Sequence, residues 1–352
     1  MNKNLVQTAS NVKPLQLTKT HNREVEGMSK KKNGSQILAF AYDKTNLPDK
    51  QKKAFKLRLC GKTLIYAENP TGGDPLLVSA MRCGLRLCPS CSWIRARKVF
   101  QNVYSIIMEP EFSGKQFIFL SLTVKNCRGE KLESEIKRLL LAWQKLTRDT
   151  RHEGFTKSFL GTFRALEVTY KKLKGYHPHL HAMAAVEPAY FRKSNKHYIS
   201  QSKLRELWKD ACGLDYLPQC RIQRVKGTKS KQIAEVAKYT VKSASYINRP
   251  EVIEILDKAL FRKRLIAYGG LFKTVRNRLD LPDEELSDDL PHLTVEEILR
   301  NPYIKKIVYE WNLGSYHILE VPPSTDPADW LDPGRLAAEV LKRQAASWGQ
   351  GV

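Results

Sequence analysis

The sequence predicts an α+β fold, and three observations carry this prediction. The run FIFLSLTVKN (117–126) is apolar and rich in residues that favour strands, so it indicates a buried strand. Two further strand-like runs, GTFRALEVTY and PHLHAMAAVE, are joined by KKLKGYH, whose Gly175 suits a hairpin turn. The segment LESEIKRLLLAWQKLTRD (132–149) repeats apolar residues at helical spacing. The chain should therefore contain antiparallel strands with helices beside them.

Further elements follow the predicted hairpin. Residues 202–211 and 230–247 have helical patterns and flank a short strand, CRIQRV (220–225). Residues 251–279 suggest one or two further basic helices. After Asp280 the composition turns acidic in DEELSDDL, and a hairpin (IKKIVYEWNLGSYHILEV) and a terminal helix (PGRLAAEVLKRQAAS) are predicted beyond it.

Composition divides the chain into four expected regions. They are a flexible basic arm at 1–50, a cysteine-bearing segment at 51–100, a region of strand and helix patterns at 101–280, and a C-terminal hairpin and helix of unknown role at 281–352.

The chain is strongly basic: 60 Lys and Arg residues outnumber 36 Asp and Glu residues, for a formal net charge of +24. Such an excess favours a polyanionic partner, most often nucleic acid. The N-terminal residues lack the apolar run of a signal peptide, and no later stretch approaches the roughly 18 apolar residues of a membrane span. We therefore expect a cytoplasmic nucleic-acid-binding protein without a membrane partner.

Three of the eight histidines lie within HPHLH (177–181). In a strand His177, His179 and His181 would share one face, because residues two apart point the same way. A turn centred at 173 or 174 would place Glu167 opposite His179 or His181. Such a set of ligands suits Mn²⁺ or Mg²⁺ acting on phosphate oxygens, without excluding Zn, Ni or Co. The alternative is a histidine-rich strand end that meets solvent or DNA phosphates, and His177 is the one we expect to be a bystander.

On a helical wheel Glu235, Tyr239, Lys242 and Tyr246 fall in one narrow stripe. An ordinary amphipathic helix with a solvated polar face would give the same division. A tyrosine oxygen can attack a phosphodiester when a metal polarises the phosphate and a cation stabilises the developing charge. Lys242 is placed to be that cation, and Glu235 could accept a proton in a second step.

Cys88 and Cys91 have the C-x-x-C spacing of zinc knuckles, and Cys83 and Cys60 are the candidate third and fourth ligands of a structural zinc site. Zinc would fix the next helix against DNA. The DNA-binding candidates on that helix are Arg95, Arg97 and Lys98. Free cysteines packed as small apolar groups are the alternative, and the ordinary ones are Cys127, Cys212 and Cys220.

The order of the motifs is similar to that of a known family. FLSLTVKN, HPHLHAM and EVAKYTVK resemble the three motifs of rolling-circle plasmid replication initiators, in the HUH endonuclease superfamily. CGLRLCPSCSWIRARK upstream and AYGGLFK downstream look like the branch found on small plasmids of Gram-positive bacteria. The resemblance covers roughly residues 55 to 280 and needs the motifs together, since each alone is weak.

The resemblance implies an enzyme, a nicking and joining endonuclease that cuts at a double-strand origin. It would leave a 5′-phosphotyrosine and a 3′-hydroxyl that primes synthesis. By position His179 and His181 match the metal-binding pair, Tyr239 the nucleophile, and Lys242 the lysine of the Y-x-x-K motif. Glu235 matches a glutamate associated with a hydrolytic terminating cleavage.

The same resemblance implies the fold, the cofactors and the partners. The fold is a central antiparallel β-sheet of the HUH or RRM-like kind with flanking helices, which makes 101–280 the HUH endonuclease catalytic domain, plus the small cysteine-rich zinc-binding module at 51–100. The cofactors are Mn²⁺ or Mg²⁺ for catalysis and Zn²⁺ for structure. The partners are plasmid origin DNA, single-stranded at the nick site, and a host helicase and DNA polymerase. Glu167 as third catalytic ligand comes from the hairpin argument alone.

Two other classes of function remain alternatives at this point. One is another HUH nuclease, such as a mobilisation relaxase or a transposase. A relaxase commonly places its tyrosine before the histidines, whereas Tyr239 follows them here, and a transposase is usually far smaller. The other is a non-catalytic zinc DNA-binding protein, which would leave the stripe of Glu235, Tyr239 and Lys242 without an explanation.

Overall fold

Two antiparallel sheets organise the chain. The computed structural model describes residues 17–68, 72–148, 153–192, 194–225, 246–283 and 306–319. The chain divides into a small unit, drawn from Met1–Lys30, Gly61–Met81 and His292–Val352, and a large unit, drawn from Lys31–Cys60 and Arg82–Pro291. The strands are β1 Thr63–Ala67, β2 Leu76–Ala80, β3 Gln116–Thr123, β4 Gly161–Lys171, β5 Gly175–Val186, β6 Cys220–Arg224, β7 Ile266–Gly270, β8 Lys306–Asn312 and β9 Ser315–Leu319.

Helices accompany both sheets, as the α+β prediction requires. They are α1 Lys19–Asp43, α2 Lys50–Leu59, α3 Pro89–Met108, α4 Gly129–Arg148, α5 Glu153–Ser158, α6 Gln201–Cys212, α7 Pro250–Leu260 and α8 Leu271–Arg278. Within the described ranges, no helix is both long and apolar enough to cross a membrane.

The large unit is built around a five-stranded sheet with the order β6-β3-β5-β4-β7. Strand β5 is the middle strand, and Leu180, Ala182 and Ala184 on it are fully buried. Helix α4 contacts β5 and packs against α6 and α7. Its buried stripe, spaced by three and four residues, is Leu132, Ile136, Leu139, Trp143 and Leu146. Each such side chain contributes roughly 1.5–3 kcal/mol by leaving water.

The predicted β4–β5 hairpin is confirmed. Lys171 pairs with Gly175 and Glu167 pairs with His179, so the turn is centred on residue 173. Gly175 has a φ of 76°, in the left-handed region that favours glycine. A Cβ atom there would lie 2.5 Å from the carbonyl oxygen of Cys127, so this position admits only glycine without a backbone shift.

The prediction of a flexible arm at 1–50 is wrong for residues 19–43, which form helix α1. One stripe of this helix is buried, and its members are His21, Val25, Met28, Lys32, Ser35, Ala39 and Tyr42. Three of the seven are polar, so the stripe does not show the regular spacing of apolar residues by which an amphipathic helix is recognised. The Lys32 ammonium donates to the carbonyl of Arg58, and the Ser35 hydroxyl lies 3.1 Å from that of Ser90, which satisfies these buried groups.

Residues 266–270 form strand β7, at the sheet edge beside β4, and not part of a helix as predicted. The strand turns directly into α8 at Gly270, which has a φ of 54°. A Cβ at Gly270 would lie 2.5 Å from the carbonyl oxygen of Leu160. The glycines of AYGGLFK therefore end a strand, because a helix interior disfavours two consecutive glycines.

The division into units differs from the predicted regions. The hairpin of β8 and β9 forms as expected, but β8 pairs antiparallel with β1, giving a sheet of order β2-β1-β8-β9. Strand β1 belongs to the segment predicted as the zinc module (51–100). The small unit thus combines segments about 240 residues apart, and such pairing is not visible in local patterns.

Alanine substitutions at two glycines can measure how much the steric constraint at Gly175 affects the free energy of unfolding. Gly213, which caps α6, also has a left-handed φ, of 63°, but a Cβ there meets nothing within 4 Å. Gly213→Ala should lower the free energy of unfolding by about 1–2 kcal/mol. Gly175→Ala should cost roughly 1–3 kcal/mol more, because the new methyl group collides with the Cys127 carbonyl. Urea unfolding of both full-length variants tests this, and equal costs would contradict the steric argument.

Candidate functional site

Three ionisable side chains converge on one face of the β4–β5 hairpin. Glu167 pairs directly with His179, and His181 follows two residues along β5 on the same face. Atom Oε2 of Glu167 lies 3.1 Å from Nε2 of His179 and 3.2 Å from Nε2 of His181. All three side chains are buried. The arrangement therefore brings together the carboxylate and both imidazoles that the sequence singled out.

The hydrogen bonds of His179 determine which ring nitrogen faces Glu167. Its Nδ1 lies 3.0 Å from the carbonyl oxygen of His177, and a carbonyl only accepts, so Nδ1 carries a hydrogen. In a neutral imidazole Nε2 then holds a lone pair, and it faces a carboxylate oxygen that also only accepts. This contact is favourable only with a cation between the two atoms, either a proton or a metal ion.

The distances fit a divalent metal. Mg²⁺ holds its ligands at about 2.0–2.1 Å in an octahedron, so neighbouring ligands are about 3.0 Å apart. The two nitrogen to oxygen distances, 3.1 and 3.2 Å, match such edges. The three donor atoms all lie within 4.8 Å of one another. Glu167, His179 and His181 could therefore hold one metal ion through one carboxylate oxygen and two ring nitrogens.

Neighbouring rings hold the two imidazoles in place. The Phe119 ring stacks on His181 with centroids 5.4 Å apart, and the His177 ring stacks on His179 at 4.9 Å. Burial lowers the pKa of His177, and the nearby His179 lowers it further, so His177 is neutral near pH 7. Its backbone carbonyl orients His179, while its side chain is not among the converging donors.

Sequence reasoning missed an arginine on the same face of the sheet. Ser121 on β3 pairs with His181 on one side and with Arg221 on the other. Paired residues share a face, so the three form one row, with the backbones of His181 and Arg221 about 10 Å apart. Arg221 is exposed. Local sequence patterns could not indicate Arg221, because its position beside the site depends on the strand order β6-β3-β5.

The residues predicted for the chemistry itself, Glu235, Tyr239 and Lys242, lie outside the described residues. The next described residue after them is Tyr246, which shared their predicted stripe. Tyr246 is 1% exposed, and its hydroxyl donates to the carbonyl of Leu87 at 3.1 Å. Burial raises the pKa of its phenol. Tyr246 is thus a core residue that anchors the chain seven residues beyond Tyr239.

The four cysteines predicted as zinc ligands form a cluster in the large unit. The Sγ atom of Cys60 lies 3.5 Å from those of Cys88 and Cys91, and Cys83 Sγ lies 3.6 Å from that of Cys91. Four thiolates around zinc at about 2.3 Å are roughly 3.8 Å apart, so the cluster fits that ion with little adjustment.

Electrostatics within the cysteine cluster also fit a cation. The thiol of Cys60, followed by those of Cys83 and Cys88, holds the pKa of Cys91 well below its usual range by hydrogen bonding to its thiolate. Hydrogen bonding with Cys83, and then with Cys88 and Cys91, raises the pKa of Cys60. The Cys91 thiolate is therefore stabilised by its neighbouring thiols and by the Arg95 cation, whereas four thiolates together would need a metal ion.

The three predicted DNA-binding cations of α3 have different surroundings. The Arg95 guanidinium donates to the carbonyls of Leu85 and Arg86, so it ties α3 to the cysteine loop. Lys98 is buried, at 2% exposure. Arg97 is exposed and lies over the Trp93 ring at 4.7 Å. Of the three, Arg97 is the residue whose side chain could reach a phosphate.

Comparison with known proteins gives a consistent result. The family model described as "Replication protein" matches residues 76–317. A protein named "Protein rep" from Bacillus amyloliquefaciens is 34% identical over 288 residues, covering 73% of this chain and 83% of the relative. Its namesake from Lactiplantibacillus plantarum is 35% identical over 280 residues, covering 74% and 86%. A search of solved structures found no significant match.

The matched region contains three of the four clustered cysteines (Cys83, Cys88 and Cys91), the histidine strand, the tyrosine segment and the glycine turn, in the order that the motifs predicted. The family model matches more than half of the chain, and the two relatives are 34% and 35% identical to it over 73% and 74% of its length. The chain therefore belongs to the Rep family of replication proteins, the plasmid rolling-circle initiators that its motifs resemble.

Proposed function

We propose that this chain nicks one strand of plasmid origin DNA with Tyr239 as nucleophile, and thereby starts rolling-circle synthesis. The observation that carries the proposal is the convergence of Glu167, His179 and His181 on one sheet face. The motif order and the family membership support the same assignment. The substrate is origin DNA, single-stranded at the cut, and the exposed 3′ end serves a host polymerase, with a helicase opening the duplex.

The nicking step exchanges one phosphoester bond for another. The phenol oxygen of Tyr239 attacks the scissile phosphorus, a new bond forms between oxygen and phosphorus, and the bond to the 3′ oxygen breaks. The net reaction moves the phenol proton to the 3′ oxygen, leaving a 3′-hydroxyl and a 5′-phosphotyrosine. Because this step exchanges one phosphoester for another and hydrolyses neither, a 3′-hydroxyl can later attack the phosphotyrosine, reverse the step and join the strand.

The chain's own residues prepare this exchange. Glu167, His179 and His181 would hold Mn²⁺ or Mg²⁺, which when bound would polarise the scissile phosphate. Lys242 stabilises the negative charge that develops on the phenol oxygen. Glu235 accepts a proton from water in the terminating cleavage, which releases the finished strand.

Arg221 extends the site towards the bound strand. It lies about 10 Å from His181 across the sheet, which is between one and two phosphate spacings along a stretched single strand. Its exposed guanidinium would bind a phosphate next to the scissile one and so fix the register of the DNA.

The cysteine cluster supports this site as a structural zinc centre formed by Cys60, Cys83, Cys88 and Cys91. Zinc would hold the loop that contains Leu87, whose carbonyl accepts the Tyr246 hydroxyl. Seven residues span at most about 25 Å of chain, so this anchor limits where Tyr239 can lie. Zinc is in this view a positioning element, and Arg97 adds a DNA contact beside it.

Tyr239→Phe tests the nucleophile. The variant should leave supercoiled origin plasmid uncut and form no covalent adduct, because phenylalanine has no attacking oxygen. Tyr246→Phe is the matched control and should still form the adduct, because Tyr239 keeps its attacking oxygen; loss of the bond to Leu87 should change only the rate. The measurement is a nicking assay with Mn²⁺ or Mg²⁺ and mass spectrometry of the protein–DNA product. Normal cleavage by Tyr239→Phe would remove the proposed nucleophile.

His179→Ala tests the metal ligands against His177→Ala, two residues away on the same face. The first variant should lower the nicking rate by roughly 100-fold or more, because a ligand is lost. The second should change it only a few fold, since alanine keeps the carbonyl that orients His179. Rates are compared across metal concentrations, and equal losses would contradict the assignment of donors.

Arg221→Ala should weaken binding of single-stranded origin DNA about fivefold and reduce the salt dependence of binding by about one phosphate contact. Arg224→Ala is the matched control on the same strand. It pairs with Ile118, on the opposite face, and lies over the Phe191 ring at 4.7 Å. Binding at several salt concentrations measures both effects, and a larger effect at Arg224 would argue against the site face as the DNA face.

Purified protein should contain one zinc ion per chain by elemental analysis. Cys91→Ser should lose it and lower the thermal midpoint, because a hydroxyl replaces a thiolate ligand. Cys212→Ser is the control, since Cys212 is buried outside the cluster. Zinc retained by Cys91→Ser at full occupancy would contradict the four-cysteine site.

A further inference from the structure

A cavity with both apolar and charged lining lies on the other face of β4 and extends round the β7 edge of the large unit's sheet, where Arg276 lies over the Tyr268 ring. It has a volume of about 920 Å³ and is bounded by α4, α5, β4, β7 and α8. Thr162 and Arg164 line it from β4, and they point away from the face of Glu167, because positions 164 and 167 are three apart in a strand. The cavity is therefore separate from the proposed metal site.

The lining of this cavity is cationic. Its charged residues are Arg148, Arg164, Arg264, Lys273 and Arg276, of which Arg264 is ion-paired with Asp283 at 2.6 Å. Hydrogen-bonding side chains are also present, among them Thr162, Gln144 and Asn277. A volume of this size is typical of small-ligand sites. We call it the arginine cavity.

Main-chain packing closes one side of the arginine cavity. The AYGGLFK motif lines it with Gly269 and Gly270, and α8 begins there at Leu271. The Leu271 amide donates to the carbonyl of Leu160 at 3.0 Å, and the same carbonyl fills the space beside Gly270, so an anion would meet the cationic side chains and not this amide. This motif is the part of the family signature that the nicking chemistry does not use.

Two of the arginines are fixed by backbone carbonyls. Arg164 donates from Nη1 to the carbonyls of Arg264 and Leu265, at 3.2 and 3.1 Å. Arg276 donates to the carbonyl of Pro282 at 3.0 Å and lies over the Tyr268 ring at 5.1 Å. Side chains held in this way lose little conformational entropy when they bind an anion.

We propose that the arginine cavity binds the phosphate of a nucleotide, as a second nucleic-acid site on the sheet face opposite the nicking site. The phosphate would lie among the cavity's arginines, with Lys273 and Arg148 at the exposed rim. This rests on the proposed function for the identity of the partner, DNA. The nucleotide belongs either to a single strand or to a free mononucleotide, and the phosphate chemistry is the same.

Neutralising one rim cation tests the proposal. Lys273→Ala removes an exposed amine from the cavity, and Arg278→Ala removes an exposed guanidinium from the same helix that does not line it. Arg148→Ala is a second cavity variant on α4. All three are used as full-length protein, and because each side chain is exposed, circular dichroism should show wild-type folding.

The first arm measures binding of a fluorescein-labelled oligo(dT) at several salt concentrations, without added divalent metal. Lys273→Ala and Arg148→Ala should each weaken binding about fivefold and lower the salt dependence by about one contact, while Arg278→Ala changes binding less than twofold. The second arm measures the thermal shift with dTMP. A shift in wild type that both cavity variants lose identifies a free nucleotide, whereas an effect on oligo(dT) alone identifies a DNA strand.

Cavity variants that match Arg278→Ala in both arms would overturn the proposal. The result is independent of nicking, because neither arm involves cleavage. Carrying His179→Ala through the same assays separates the two ideas. Lys273→Ala should weaken oligo(dT) binding by the same factor in the His179→Ala background as in wild type, even if the nicking proposal fails.

Discussion

The register of the β4–β5 hairpin is the constraint on which the proposed site depends. A single residue of slip would turn Glu167 away from His179 and His181 and towards the opposite face of the sheet. The turn fixes the register because only glycine fits at position 175, against the carbonyl of Cys127. The central place of β5 strengthens it, since pairing on both sides and burial of both faces resist slippage. Chemistry at this site is thus set by backbone geometry some eight residues away.

Several buried polar groups lie next to the cysteine cluster and its loop. Lys32 and Ser35 lie in the buried stripe of α1 and bond to Arg58 and Ser90, next to the cysteine cluster. Arg95 ties α3 to the carbonyls of the same cysteine loop. Such groups contribute little net stability, but leaving any one of them unsatisfied is costly. They therefore specify one conformation of the loop whose Leu87 carbonyl accepts the Tyr246 hydroxyl.

The two faces of the central sheet carry different kinds of charge. One face gathers a carboxylate and two imidazoles within hydrogen-bonding distance, an arrangement that requires a cation. The other holds an arginine-lined cavity, an arrangement that favours an anion. The alternation of side chains along β4 produces this separation, because Glu167 and Arg164 fall on opposite sides. A net charge of +24 is in this way organised into distinct surfaces for one polyanionic partner.

The sequence by itself determined the features that depend on local patterning. The strand at 117–126, the helix at 132–149, the β4–β5 hairpin and the β8–β9 hairpin follow from periodicity and turn residues, and HPHLH with Glu167 follows from a period of two. The clustering of the four cysteines could be anticipated because C-x-x-C spacing is uncommon by chance.

Tertiary structure decided what local patterns cannot express. The pairing of β8 with β1, the row from His181 to Arg221 and the arginine cavity all depend on which distant segments meet. Helix α1 was missed because three of the seven residues in its buried stripe are polar, and strand β7 because it was included in the helices predicted over 251–279. Burial of Lys98 and Tyr246 likewise depends on the packed neighbours and not on residue type.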